Sequence, residues 1–221
     1  MTEAEIIAVL DRAEAALDDG KGLGGTGFWK AVEEVKRQPD LASRLGPRIA
    51  AIDQRAFRNW ALLTVPLRTG MGIATLVTLV GVGLVARSAR ARRPWNWLLF
   101  WVGAGVLLGS THTLGHVAVG RAVGIEFTDW YVGSVTRPQP GVKVDYATYL
   151  VTPAKQRAWM HAAGAIVTKI VPFALLPAAR NLPRWSRVAL SLLGIGQIVT
   201  DLLWSVEKSD WKKFRREMRY A

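Results

Sequence analysis

Cysteine is absent from the 221 residues, which excludes a disulfide framework and any thiolate metal site. Acidic residues are scarce: 17 Asp and Glu stand against 29 Lys and Arg, a net charge of +12. Histidine is scarcer still, with three. A basic excess of this size suits nucleic acid in a soluble protein. In a chain that is 50% hydrophobic it more commonly sets membrane topology and meets anionic lipid, so membrane lipids and not nucleic acid are the expected partners. The N-terminus is acidic and lacks a signal-peptide pattern.

What the chain does have is long apolar runs. The sequence predicts an all-α polytopic membrane protein with four transmembrane helices. They fall at Trp60–Val85 (its hydrocarbon part starting near Gly70), across the stretch from Trp95 to Ile125, at Trp159–Ala178 and at Trp185–Val206. Trp60, Trp95, Trp97, Trp159, Trp185 and Trp204 fall near the span ends, as in an interfacial aromatic belt. A small β-hairpin is expected between the second and third spans. Phe127–Thr136 is aromatic and β-branched, Arg137-Pro138-Gln139-Pro140-Gly141 is a turn, and apolar residues alternate from Val142 to Tyr149.

Residues 1–58 read as a helical cytoplasmic segment. A Thr2/Glu5 capping box opens its first helix, Phe28–Arg37 forms a second, and Asp40 caps a third that Gly46-Pro47 interrupts. The Gly-rich run 20–27 lacks the Gly-Lys-Ser/Thr ending of a phosphate loop and reads as a linker. The membrane domain covers 59–210, and 211–221 form a basic cytoplasmic tail. Four spans put both termini on one side. Fifteen basic residues on that side against seven on the other place the termini in the cytoplasm, in the plasma or inner membrane of a prokaryote, although four Arg in the first outer loop run against the rule.

Chemistry concentrates in the second span, which carries no formal charge between Trp97 and Arg121. His112 and His116, spaced i, i+4, share one helical face and can hold one metal ion or bond a neighbouring helix. The wording His-Thr-Leu-Gly-His-Val-Ala-Val-Gly-Arg resembles the site-2 protease family, intramembrane zinc metallopeptidases with a His-Glu-x-x-His signature. Gly115 before the second His and the small residues up to Arg121 also look like that family. Thr113 stands where the family has its catalytic Glu. Ala162-Ala163-Gly164-Ala165-Ile166-Val167-Thr168 resembles the family's Ala-Gly-Pro-x-x-Asn stretch, with Ala165 for Pro and Thr168 for Asn. The resemblance covers about residues 95–210 and implies a metallopeptidase-like core, a hairpin whose edge holds an extended substrate, and a membrane-protein or peptide substrate.

The resemblance also implies a third ligand on another span. Asp201 is the single carboxylate of the fourth span, at a depth similar to the histidines, so His112, His116 and Asp201 form the expected Zn2+ site. The competing role for Asp201 is an ion pair with Lys169 of the third span. A Thr hydroxyl cannot act as a general base at neutral pH, and Glu126, Asp129 and Glu207 are not held at the required place. Three readings stand: a zinc-binding protein of site-2-protease type with its base missing, an active metallopeptidase with a replacement base, and a metal-free scaffold built on a His/Lys/Asp polar network.

Overall fold

A computed structural model describes residues 1–136, 139–203 and 209–221, apart from the side chain of Leu202. The described chain is mostly helical with one small sheet, and it divides into two units. The first unit comprises residues 1–67, 120–157 and 220–221; the second comprises 68–119 and 158–219.

In the first unit, helix α1 (Glu3–Asp18) starts at the predicted capping box, with Thr2 Oγ1 accepting from the Glu5 amide and Glu5 accepting from the Thr2 amide. Helices α2 (Phe28–Val35) and α3 (Pro39–Trp60) follow. Ile6, Leu10, Phe28, Val32, Val35 and Ile49 are essentially inaccessible and make the core of this unit. Two local expectations are overturned. Pro39, not Asp40, opens α3, where its missing N–H costs nothing. The helix then runs through Gly46-Pro47, because burial of Leu41, Ala42, Ile49, Ile52 and Phe57 along one face outweighs a proline inside a helix.

The predicted hairpin is present but gains a third strand. Strand β1 (Leu63–Pro66) occupies residues expected to begin the first span. It pairs antiparallel with β2 (Phe127–Val132), which pairs antiparallel with β3 (Pro140–Val144). The order is β1-β2-β3, with a register shift between Phe127 and Trp130. The alternation read as strand through Tyr149 ends earlier. Asp145 caps helix α6 (Tyr146–Val151) by accepting from the Ala147 amide, and that cap stops the strand. Arg137 and Pro138 of the turn lie outside the described residues. Between α3 and β3, Asp53 and Lys143 form a buried ion pair, with the Lys143 ammonium over the Phe57 ring.

The second unit contains most of α4 (Leu67–Ser88), α5 (Trp95–Ala122) and α7 (Ala154–Ala174), with α8 (Arg184–Leu203) and the short α9 (Asp210–Glu217). Three stretches are long and apolar enough to cross a membrane: Leu67–Ser88, Trp95–Ala122 and Ala154–Asn181. Leu76, Leu79 and Val80 on α4 are more than half exposed, so the bundle presents apolar flanks outward. Inside, Val85, Phe100, Ala104 and Leu107 pack with Leu175, Ala179, Leu182 and Leu190, fixing α4, α5, α7 and α8 at one end of the bundle. Trp204 and Val206, expected to close the fourth span, and Glu207 and Lys208 beyond it lie outside the described residues.

Candidate metal centre

Helix α5 carries His112 and His116 one turn apart, and α7 crosses them at its small residues. A Cβ placed on Gly115 would stand 3.1 Å from the Ala163 carbonyl oxygen. One placed on Gly164 would stand 2.3 Å from His116 Nε2. The His116 ring therefore lies in a space that exists only because residue 164 has no side chain.

Both rings are held by their Nδ1 atoms. His116 Nδ1 donates to the Met160 carbonyl at 2.8 Å, since a carbonyl can only accept. His112 Nδ1 lies 3.0 Å from Thr168 Oγ1. The single Thr168 hydroxyl proton is used on the Gly164 carbonyl at 2.9 Å, so toward His112 this oxygen accepts as well. Each imidazole thus carries its proton on Nδ1 and aims an Nε2 lone pair inward. A ligating histidine is normally oriented by such an outer bond.

The two Nε2 atoms are 3.2 Å apart. Asp210 Oδ2 lies 3.1 Å from that of His112 and 3.2 Å from that of His116. Three acceptor atoms converge, and only a cation between them, a metal ion or an added proton, makes that arrangement favourable. Tetrahedral ligands about 2.05 Å from one zinc ion are about 3.3 Å apart. The spacing of His112, His116 and Asp210 fits this closely, and the group can hold a metal ion.

Asp210 reaches the histidines because α9 is anchored. Ser209 caps the helix by accepting from the Lys212 amide. Phe214 packs edge-on to Trp159 of α7 and stacks with Trp211, and Glu217 on the same face is fully buried. Lys213 Nζ lies 3.1 Å from the second carboxylate oxygen, Oδ1. Burial pushes the Asp210 carboxyl upward, but hydrogen bonds from His112 and His116, made when an added proton sits on Nε2, and the Lys213 charge outweigh it. The group is held well below the usual carboxylate range.

The structure brings together two of the three expected ligands and leaves the third elsewhere. Asp201 is ion-paired with Lys169, the role weighed against ligation in the sequence, and does not join the histidine group. Asp201 nonetheless lies near the histidines along the bundle, because its partner Lys169 adjoins Thr168, which bonds His112. Direction separates them: successive residues of a helix point about 100° apart, so Thr168 faces α5 while Lys169 faces α8. Asp210 is the last residue of the membrane domain expected from sequence, next to a basic tail. Its only sequence signal is a Ser-Asp helix start ahead of an aromatic and basic run. Thr113 is buried on α5 beside His112. His161, expected at an interface, lies on the same α7 stripe as Gly164 and Thr168, within electrostatic reach of Asp210, Lys213 and Glu217.

No family model, curated protein or solved structure matches this chain.

Proposed function

We propose that this chain is a membrane-embedded zinc protein of site-2-protease type whose catalytic base is missing, and that it binds or holds membrane-protein segments with little or no cleavage. The observation that carries the reading is the convergence of two oriented Nε2 lone pairs and an ionised carboxylate at tetrahedral-ligand spacing. His112, His116 and Asp210 would hold the ion. Zinc, when bound, supplies Lewis acidity and lowers the pKa of coordinated water toward about 7.

The chain's own residues do the rest. Met160 and Thr168 orient the rings, Gly164 admits His116, and Lys213 balances the carboxylate. Thr113 can donate or accept a hydrogen bond but cannot take a proton from water at neutral pH, so the typical 10²–10⁴-fold of general-base catalysis, an order-of-magnitude figure, is forfeited. Glu126 and Asp129 belong to the other unit, and Glu207 lies outside the described residues. An edge strand of the three-stranded sheet suits an extended peptide, because strand addition satisfies the backbone of a segment that has unfolded from a helix.

Helix α8 is read as a fourth span. Val188, Leu192, Ile195 and Val199 form an exposed apolar stripe along its 20 residues, which lipid would cover. Four spans and the distribution of basic residues put both termini on the cytoplasmic side.

The second reading, a metal-free scaffold, is favoured by the Lys169–Asp201 pair and by the fact that one added proton satisfies the same three acceptors. Metal content separates the two. The detergent-purified wild type should hold about one zinc per chain. His116→Ala and Asp210→Ala should lose it, and Asp201→Ala should keep it. An empty wild type after zinc reconstitution would overturn the metal reading. Loss in Asp201→Ala with retention in Asp210→Ala would restore Asp201 as the ligand. Thr113→Glu is then expected to gain chelator-sensitive cleavage of a transmembrane peptide. Efficient cleavage by the wild type that survives Thr113→Ala would instead establish a replacement base.

A further inference from the structure

At the opposite end of the bundle from the histidines, a cleft of about 650 Å³ opens between the end of α7 and the start of α8. Its floor is apolar, with Leu176, Val188 and Leu192, and Arg180, Arg184 and Arg187 line it as well. Val188 and Leu192 are 57% and 64% exposed and continue the outward stripe of α8, so the cleft is open along an apolar helix surface. On α8 the positions 184, 187, 188, 191 and 192 share one face, so Arg184 and Arg187 lie on the same side of the helix as Val188 and Leu192, about one turn away.

Among the described residues, none of the three arginines has an ion-pair partner. The sequence explains why. No Asp or Glu occurs between Asp53 and Glu126, or between Asp145 and Asp201. The elements that build this end of the bundle therefore bring no carboxylate to it, while Arg87, Arg90, Arg92 and Arg93 add four further cations in the α4–α5 connection. Trp185, half exposed, stacks on Trp101 at 5.9 Å beside the cleft, a headgroup-level arrangement.

We infer that this cleft is a binding site for an anionic phospholipid, with the phosphate on Arg180, Arg184 and Arg187 and an acyl chain along Val188 and Leu192. Guanidinium groups match phosphate oxygens in charge and fork geometry, and the apolar stripe below them matches the chain that any such headgroup carries. A soluble phosphate would leave that stripe uncovered. The inference rests on reading the helices as membrane spans and is independent of the metal centre.

Native mass spectrometry of the detergent-purified full chain, titrated with phosphatidylglycerol or phosphatidylcholine, tests it. The wild type should retain phosphatidylglycerol selectively. Arg180→Gln/Arg184→Gln/Arg187→Gln should weaken that retention about a hundredfold, through loss of three cationic contacts. The corresponding triple Lys variant should keep part of it, and Arg215→Gln/Arg216→Gln should leave it intact. Val188→Trp, which fills the cleft without altering charge, should also lose the lipid, giving a second reading should the triple variant fold poorly. Equal retention of the two lipids by the wild type, or undiminished phosphatidylglycerol binding in a folded triple Gln or Val188→Trp variant, would overturn the proposal. A chain that stays soluble without detergent would instead defeat the membrane reading beneath it.

Discussion

Gly164 carries more of the candidate metal site than its lack of a side chain suggests. Replacing it with alanine should favour the helix by about 1 kcal/mol on propensity alone. The new methyl would nevertheless meet the His116 ring at 2.3 Å from Nε2, between two packed helices that cannot separate freely. Gly164→Ala is therefore expected to keep its helical content and lose bound zinc, measured by circular dichroism beside metal analysis. Thr168 acts at one remove. Thr168→Val removes the acceptor for His112 Nδ1, leaves the ring free to turn, and should weaken zinc affinity about 10–100-fold in a competition titration, with His112 and His116 unchanged.

Among the elements, α7 serves two neighbours. Its Thr168 side holds the histidines, and its Lys169 side holds Asp201 of α8. Removing one charge strands the other in an apolar helix, at a cost of about 2.5–3.5 kcal/mol on insertion scales. Lys169→Met and Asp201→Asn should each destabilise the protein, and the double variant should recover most of the loss in a double-mutant cycle. Strict additivity would show that the pair does not couple α7 to α8. In the other unit, α3 and β3 are joined by Asp53 and Lys143. Burial raises the Asp53 pKa, and the Lys143 charge and hydrogen bond pull it only partly back. A raised carboxyl pKa favours folding below the unfolded value of about 3.9, and that advantage is lost as pH climbs through the folded value. Lys143→Met removes the cation, so its destabilisation should be about 3–5 kcal/mol at neutral pH and shrink toward low pH. Urea denaturation across pH measures it, and Asp53→Asn in the same background should abolish the pH dependence.

For the molecule as a whole, the candidate metal site joins α5, which carries His112 and His116, to α9, which carries Asp210, and α7 orients the two rings, so an ion held there would close one unit. A ligand that binds only the folded state adds RT ln(1 + [L]/Kd), about 2.7 kcal/mol at a hundredfold excess over Kd. Zinc should therefore raise the melting temperature by about 5–10 °C in detergent, and a chelator should reverse it. Asp210→Ala should melt identically with and without zinc. Because Asp210 sits at the first residue of α9, zinc should also protect Lys212–Glu217 amides in hydrogen exchange.

Much of this was legible in the linear order of residues. The capping box at Thr2, the apolar runs and the histidine spacing are local patterns, and local physics suffices to read them. A hairpin was legible too, from turn residues and alternation, but not its third strand. Residues 63–66 sit at the edge of an apolar run, and pairing with β2 decides their state. Tertiary structure alone put Asp210, and not Asp201, beside the histidines. Both are aspartates near the C-terminal end of the sequence. What separates them is the direction in which Lys169 and Thr168 leave α7, and the aromatic packing of α9 that brings Asp210 to the rings. A one-dimensional pattern specifies which residues share a helical face. Which neighbour that face meets depends on how helices cross, and here Gly115 and Gly164 set the crossing.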